Sequence, residues 1–119
     1  MELTVENIGN VSLAKIPGET LDAGSAKEFK TAAAPMLTSG ARVIFDLSGL
    51  RFIDSSGLGA LLSCLRQLNG VGGDLKLCGT SKPVRALFEL VRMHRVFELC
   101  NTSEDAIRAF EQNARAKEA

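Results

Sequence analysis

The chain has 119 residues, 45% of them hydrophobic and 24% charged, which is enough for one domain with its own core and too short for two ordinary ones. Fourteen basic side chains balance fourteen acidic ones, so no net field draws the chain to nucleic acid or anionic lipid. The amino terminus carries neither a basic leader nor an apolar signal core, and no segment approaches the roughly 18 apolar residues of a membrane span; a cytoplasmic protein without direct membrane contact is expected.

In chain order, Leu3 to Ile8 and Val11 to Ile16 are strand-like runs around Gly9-Asn10, a two-residue loop suited to a hairpin. Ser25-Ala26-Lys27-Glu28 reads as a capping box. Ala26, Phe29, Ala33, Met36 and Leu37 continue as an apolar stripe to Gly40, with Pro35 distorting the last turn. Val43 to Leu47 is an apolar, interior strand. Leu58, Leu61, Leu62, Leu65 and Leu68 follow at helical spacing, and Asn69-Gly70-Val71-Gly72-Gly73 ends that helix ahead of a strand at Leu75 to Cys78. Those glycines spell neither a Walker loop nor a dinucleotide fingerprint.

Ser81-Lys82-Pro83 starts a third helix whose buried face is Val84, Leu87, Phe88 and Val91, with Lys82, Arg85, Glu89 and Arg92 on the other face. Arg95 to Leu99 alternates as a short strand, and Thr102-Ser103-Glu104-Asp105 opens a last helix packed through Ala106, Ile107 and Phe110. The fold class is therefore α/β: a mixed central sheet of about five strands opened by an N-terminal hairpin, with about four helices. The Val43 to Leu47 strand lies centrally. Residues 1–113 form the single domain and 114–119 a polar C-terminal tail.

Between the central strand and the leucine helix stand Asp54, Ser55, Ser56, Gly57 and Leu58. Ser55 or Ser56 is expected to cap the helix, and the free N–H groups of a first turn, with the helix dipole, would also stabilise a phosphoryl group on such a serine. Asp46 reads equally as a turn residue or a functional one. The single His94 lies in a connection after the third helix and no Gly-x-Ser-x-Gly elbow surrounds Ser56, so a serine hydrolase lacks its parts. Without Trp or Tyr, and with the six Phe mostly in core patterns, a carboxylate pair has no sugar platform. Cys64, Cys78 and Cys100 read as reduced core thiols, and one histidine without a Cys-x-x-Cys pair offers too few ligands for zinc. No catalytic residue, metal or cofactor is expected.

Leu50-Arg51-Phe52-Ile53-Asp54-Ser55-Ser56-Gly57-Leu58-Gly59 resembles the phosphorylation-site segment of the bacterial anti-sigma factor antagonists, which are STAS domains. The likeness extends to Gly18-Glu19-Thr20-Leu21-Asp22, to Gly73-Asp74-Leu75-Lys76-Leu77-Cys78-Gly79 and to Val84-Arg85-Ala86-Leu87-Phe88-Glu89-Leu90. One departure is the extra Thr20 in what is commonly Gly-Glu-Leu-Asp. The resemblance implies that Ser56 accepts a phosphate, that the unphosphorylated protein binds an anti-sigma factor that is also a serine kinase, and that a serine phosphatase resets it. Asp22, Asp54, Ser55, Ser56, Gly57 and Leu58 are then the expected partner surface of a monomer or weak dimer. The competing reading is a STAS scaffold without the phosphorylation cycle, like stressosome or lipid-transport subunits; the intact Asp-Ser-Ser-Gly argues against it.

Overall fold

The computed structural model describes residues 1–118, with side chains described through residue 112. Strands β1 (Thr4–Ile8) and β2 (Val11–Lys15) form the expected antiparallel hairpin, Ile8 opposite Val11. Gly9 has φ +61 while Asn10 stays at negative φ, and a positive φ at the first central position alone is the demand of a type II′ turn, which glycine meets without strain. Two further strands, β3 (Thr20–Leu21) and β5 (Phe52–Ile53), pair in parallel with each other outside the main sheet.

The main sheet has the order β1-β2-β4-β6-β7, where β4 is Arg42–Asp46, β6 is Asp74–Cys78 and β7 is Glu98–Cys100; all pairings after the hairpin are parallel. Parallel neighbours need helical crossovers. Helices α1 (Ala26–Ala33), α2 (Ser55–Gly70) and α3 (Lys82–Leu90) supply them, and α4 (Ser103–Glu118) follows β7. The strand expected at the centre is the middle one of five.

Alternation along β4 sorts its side chains between two cores. Val43 and Phe45 face Phe29, Leu61, Leu68, Val84 and Phe88 from the first three helices, whereas Ile44 joins Val11, Cys78, Ala106 and Phe110 beneath α4. Burying each such side chain contributes about 1.5–3 kcal/mol. Lys76 lies on the α4 side, 1% exposed, with its ammonium 2.7 Å from a Glu98 carboxylate oxygen, 3.6 Å from one of Asp74 and 4.5 Å from the centre of the Phe110 ring. A charge so placed is held by its partners, and its methylene stem fills the core.

Four local expectations are corrected. Ser25 begins α1 but caps nothing, because its hydroxyl accepts the Asp22 N–H and donates to Asp22 Oδ1. The apolar stripe expected to run on to Gly40 stops early: Pro35 distorts the last turn as expected, in a 3-10 turn, Ala34–Met36, that ends α1 short of Leu37. Val91 is exposed, since Arg92 at φ +61 turns the chain out of α3 and the buried stripe stops at Phe88. The strand expected at Arg95 to Leu99 begins three residues later: Met93–Arg95 is a 3-10 turn, Phe97 packs on Phe88 with ring centres 5.9 Å apart, and only Glu98–Cys100 pairs with β6. At α4 the expected start holds, with Thr102 Oγ1 accepting the Asp105 N–H at 3.1 Å. The boundary expected at residue 113 falls within α4 as it runs to Glu118, and side chains from 113 onward lie outside the described residues.

Candidate functional site

Pairing of β3 with β5 builds the site. Thr20 stands opposite Phe52 and Leu21 opposite Ile53, so each strand delivers its following residues to the same edge: Asp22 to Ser25 from one, Asp54 to Leu58 from the other. The Asp54 N–H donates to the Leu21 carbonyl at 3.3 Å and continues the ladder. Both strands are two residues long and depend on this pairing and on the cores around Leu21 and Ile53.

Asp54, not Ser55 or Ser56, is the N-cap of α2. Its extended backbone (φ −107, ψ −174) lets Oδ1 accept the Gly57 N–H at 2.9 Å, and its carbonyl accepts the Leu58 N–H at 2.9 Å. Aspartate is as good a cap as serine, and its charge adds a favourable term at the positive end of the helix. The second oxygen, Oδ2, accepts the N–H of Ala23 at 3.1 Å, so one carboxylate joins the helix to the loop after β3. The Gly57 N–H, with lesser help from Ala23 and Ser56, holds the Asp54 carboxyl below its usual range.

With the cap supplied by Asp54, Ser55 and Ser56 fall at the first two positions inside α2, both exposed. Gly57 is buried and Leu58 is half-buried against the core. Asp22 is half-buried and spends Oδ1 on the Gly24 N–H at 2.9 Å and on the Ser25 hydroxyl at 3.3 Å, while its carbonyl accepts the Ser25 and Ala26 N–H groups. It shapes the loop. Beside that loop, Ala23, Gly24, Lys27, Glu28, Thr31 and Met1 line an open groove of about 530 Å³ along α1.

Phe52 was missed as a surface residue. It is 52% exposed and stands two positions before Asp54, with Ile53 buried between them. An exposed–buried alternation across Phe52-Ile53 is the signal that was available, but two residues are too few to read it. Asp46 is a turn residue, accepting the Ser48 N–H at 2.9 Å. His94 is exposed in its 3-10 turn. The cysteines are free thiols; burial pushes Cys64 up to about 11 and Cys78 up to about 12. No group of three or more His, Cys, Asp or Glu side chains with metal-site geometry occurs among the described residues, and among them no helix is long and apolar enough to cross a membrane.

A family model described as "STAS domain" matches residues 2–106. The chain belongs to the STAS domain family. Among curated relatives, "Putative anti-sigma factor antagonist BtrV" of Bordetella bronchiseptica is 32% identical over 111 residues, 92% of this chain and 95% of that protein. In fold, the chain matches an anti-sigma-factor antagonist (STAS) domain protein from Planctomyces limnophilus with a TM-score of 0.83 at 18% identity, covering 92% of this chain and 97% of that one. It also matches the anti-sigma factor antagonist SpoIIAA in its unphosphorylated form, with a TM-score of 0.74 at 24% identity over 92% and 96% of the two chains. The phosphorylated form of SpoIIAA, from Bacillus, matches with a TM-score of 0.66 at 23% identity over 91% and 98%. The curated relatives place this STAS domain among the anti-sigma factor antagonists.

Proposed function

We propose that this STAS domain is an anti-sigma factor antagonist switched by phosphorylation of Ser56. Unphosphorylated, it binds an anti-sigma factor that is also a serine kinase and frees a sigma factor; phosphorylated, it does not bind. The reading assigns no catalysis to the chain itself and places the cycle in the cytoplasm. One observation carries it: Ser56 is exposed in the first turn of a helix already capped by its neighbour Asp54, so its hydroxyl is not needed to hold the fold.

The chemistry asks little of this chain. Ser56 Oγ attacks the γ-phosphorus of the kinase's ATP; the Oγ–P bond forms as the bond to the β-phosphate oxygen breaks, ADP leaves, and the hydroxyl proton passes to a kinase base. In the phosphatase step water attacks that phosphorus, inorganic phosphate leaves and the serine regains its proton. The phosphate adds about −1.5 to −2 charges and three strong acceptors beside the Asp54 carboxylate. Exposed on the free protein, the dianion keeps its hydration and the helix dipole favours it. Against a partner it loses hydration, and a like-charge juxtaposition costs several kcal/mol, where about 1.4 kcal/mol is already tenfold in affinity.

The exposed Phe52 is the aromatic anchor of this surface, because large aromatics buried at the centre of an interface carry much of its binding energy. Asp22 and Ser55 flank it, Asp22 mainly through the loop it shapes. Incubation with the cognate kinase and ATP, followed by site mapping, tests the assignment: Ser55→Ala is expected to be phosphorylated like wild type and Ser56→Ala not at all. Full phosphorylation of Ser56→Ala would move the site to Ser55. Stable binding of an anti-sigma factor with no phosphorylation at either serine would favour the non-switching scaffold.

A further inference from the structure

We propose that Asp54 is the positioning residue that couples the phosphoacceptor to the loop at Ala23 and Gly24, so that a phosphate on Ser56 displaces the Asp54 carboxylate and releases that loop. The proposal rests on Ser56 being the phosphoacceptor.

The coupling follows from how the carboxylate is shared. Oδ1 accepts the Gly57 N–H of α2 and Oδ2 the N–H of Ala23, which lies 31 residues before Asp54 in sequence. A carboxylate is rigid, so it cannot swing away from Gly57 and keep Ala23. Ser56 immediately precedes Gly57, at the second position of α2. A phosphate there is a stronger acceptor than a carboxylate, carries more charge, and reaches for the same first-turn N–H groups. Two anions then compete for one set of donors while repelling each other. The dianion wins the donors, and the carboxylate turns to solvent.

Loss of Asp54 leaves the rest of the loop held by its own bonds. Asp22 still accepts the Gly24, Ser25 and Ala26 N–H groups, and β3 still pairs with β5. Release is therefore local, centred on Ala23, whose N–H alone loses its acceptor. Ala23 and Gly24 form one wall of the groove along α1, so a modification on α2 changes the shape of a surface on α1 without unfolding either helix. Two sites and a shared element with two arrangements are what a coupling between sites requires.

Amide exchange measured by NMR on the uniformly ¹⁵N-labelled full chain tests this, before and after treatment with the cognate kinase and ATP, with site mapping run on the same sample. On phosphorylation the Ala23 amide is expected to exchange about tenfold faster, the protection lost with one hydrogen bond to a charged group, while the Phe45 and Leu77 amides in the sheet stay unchanged. Asp54→Asn separates coupling from general loosening, because asparagine still caps α2 but carries one acceptor oxygen instead of two. In that variant Ala23 is expected to exchange fast from the start and to be insensitive to phosphorylation. A phosphate mapped to Ser56 with Ala23 unmoved in wild type overturns the coupling alone, and absence of phosphate from Ser56 overturns it together with the functional reading.

Discussion

Gly57 packs its Cα against the carbonyl oxygen of Leu21. A Cβ built on Gly57 would overlap that oxygen and stand 2.8 Å from Ile53 Cγ1. The start of α2 can therefore lie on β3 only if residue 57 has no side chain. Gly57→Ala is expected to destabilise the fold by about 1–3 kcal/mol, the usual range for overpacking, although alanine is the better helix former. Chemical denaturation measures this. A variant as stable as wild type would mean that α2 moves off β3 without loss.

Phe52 gives the complementary case of a side chain that costs little to remove. As a half-exposed residue beside the site, Phe52→Ala is expected to change folding stability by at most about 0.5 kcal/mol. It is expected to weaken partner binding by more than about 1 kcal/mol, the mark of an anchoring residue. Calorimetric titration and thermal melting of the same preparation report the two quantities separately.

Asp54 keeps its charge to lower pH in the folded protein than an ordinary carboxylate does. Its carboxyl is held below the ordinary value of 3.8, chiefly by the Gly57 N–H. A depressed value means that the contribution is complete above the unfolded-state pKa and is lost as pH falls through the folded one. Wild type should therefore lose stability more steeply than Asp54→Asn below about pH 4, with the two converging at low pH. Parallel curves would remove the helix cap from the ionised form.

The buried thiols titrate in the opposite sense. Desolvation raises Cys64 to about 11 and Cys78 to about 12, with Asp46 adding to the latter. Their contribution is complete below the ordinary value of 9.0 and is lost as pH rises towards those folded values. At neutral pH the half-buried Cys100 is expected to be alkylated first, and Cys64 and Cys78 only on unfolding, as peptide mapping after a timed iodoacetamide pulse would show.

Long elements were legible in the sequence because each carries a period. The Val43 to Leu47 run, the leucine spacing of α2 and the Thr102 start of α4 all read as they are built. The candidate residues could be named from the sequence, but their arrangement could not. Asp54 holds Ala23 through the pairing of two strands of two residues each, too short for alternation to register and set by contacts between segments distant in sequence. At Ser25 a local pattern misled, because Asp22 three residues earlier took the hydroxyl that the capping box would have used. At Val91 the helical stripe ran on in sequence past a left-handed Arg92 that no periodicity reveals.

The switch itself is tested most directly by titrating the cognate anti-sigma factor with this protein in two forms, unphosphorylated and carrying one phosphate mapped to Ser56. Circular dichroism confirms that both are equally folded. The unphosphorylated form is expected to bind, and the phosphorylated form to bind at least about 100-fold more weakly, as several kcal/mol of like-charge cost requires. Equal affinities in the two forms would contradict the switch.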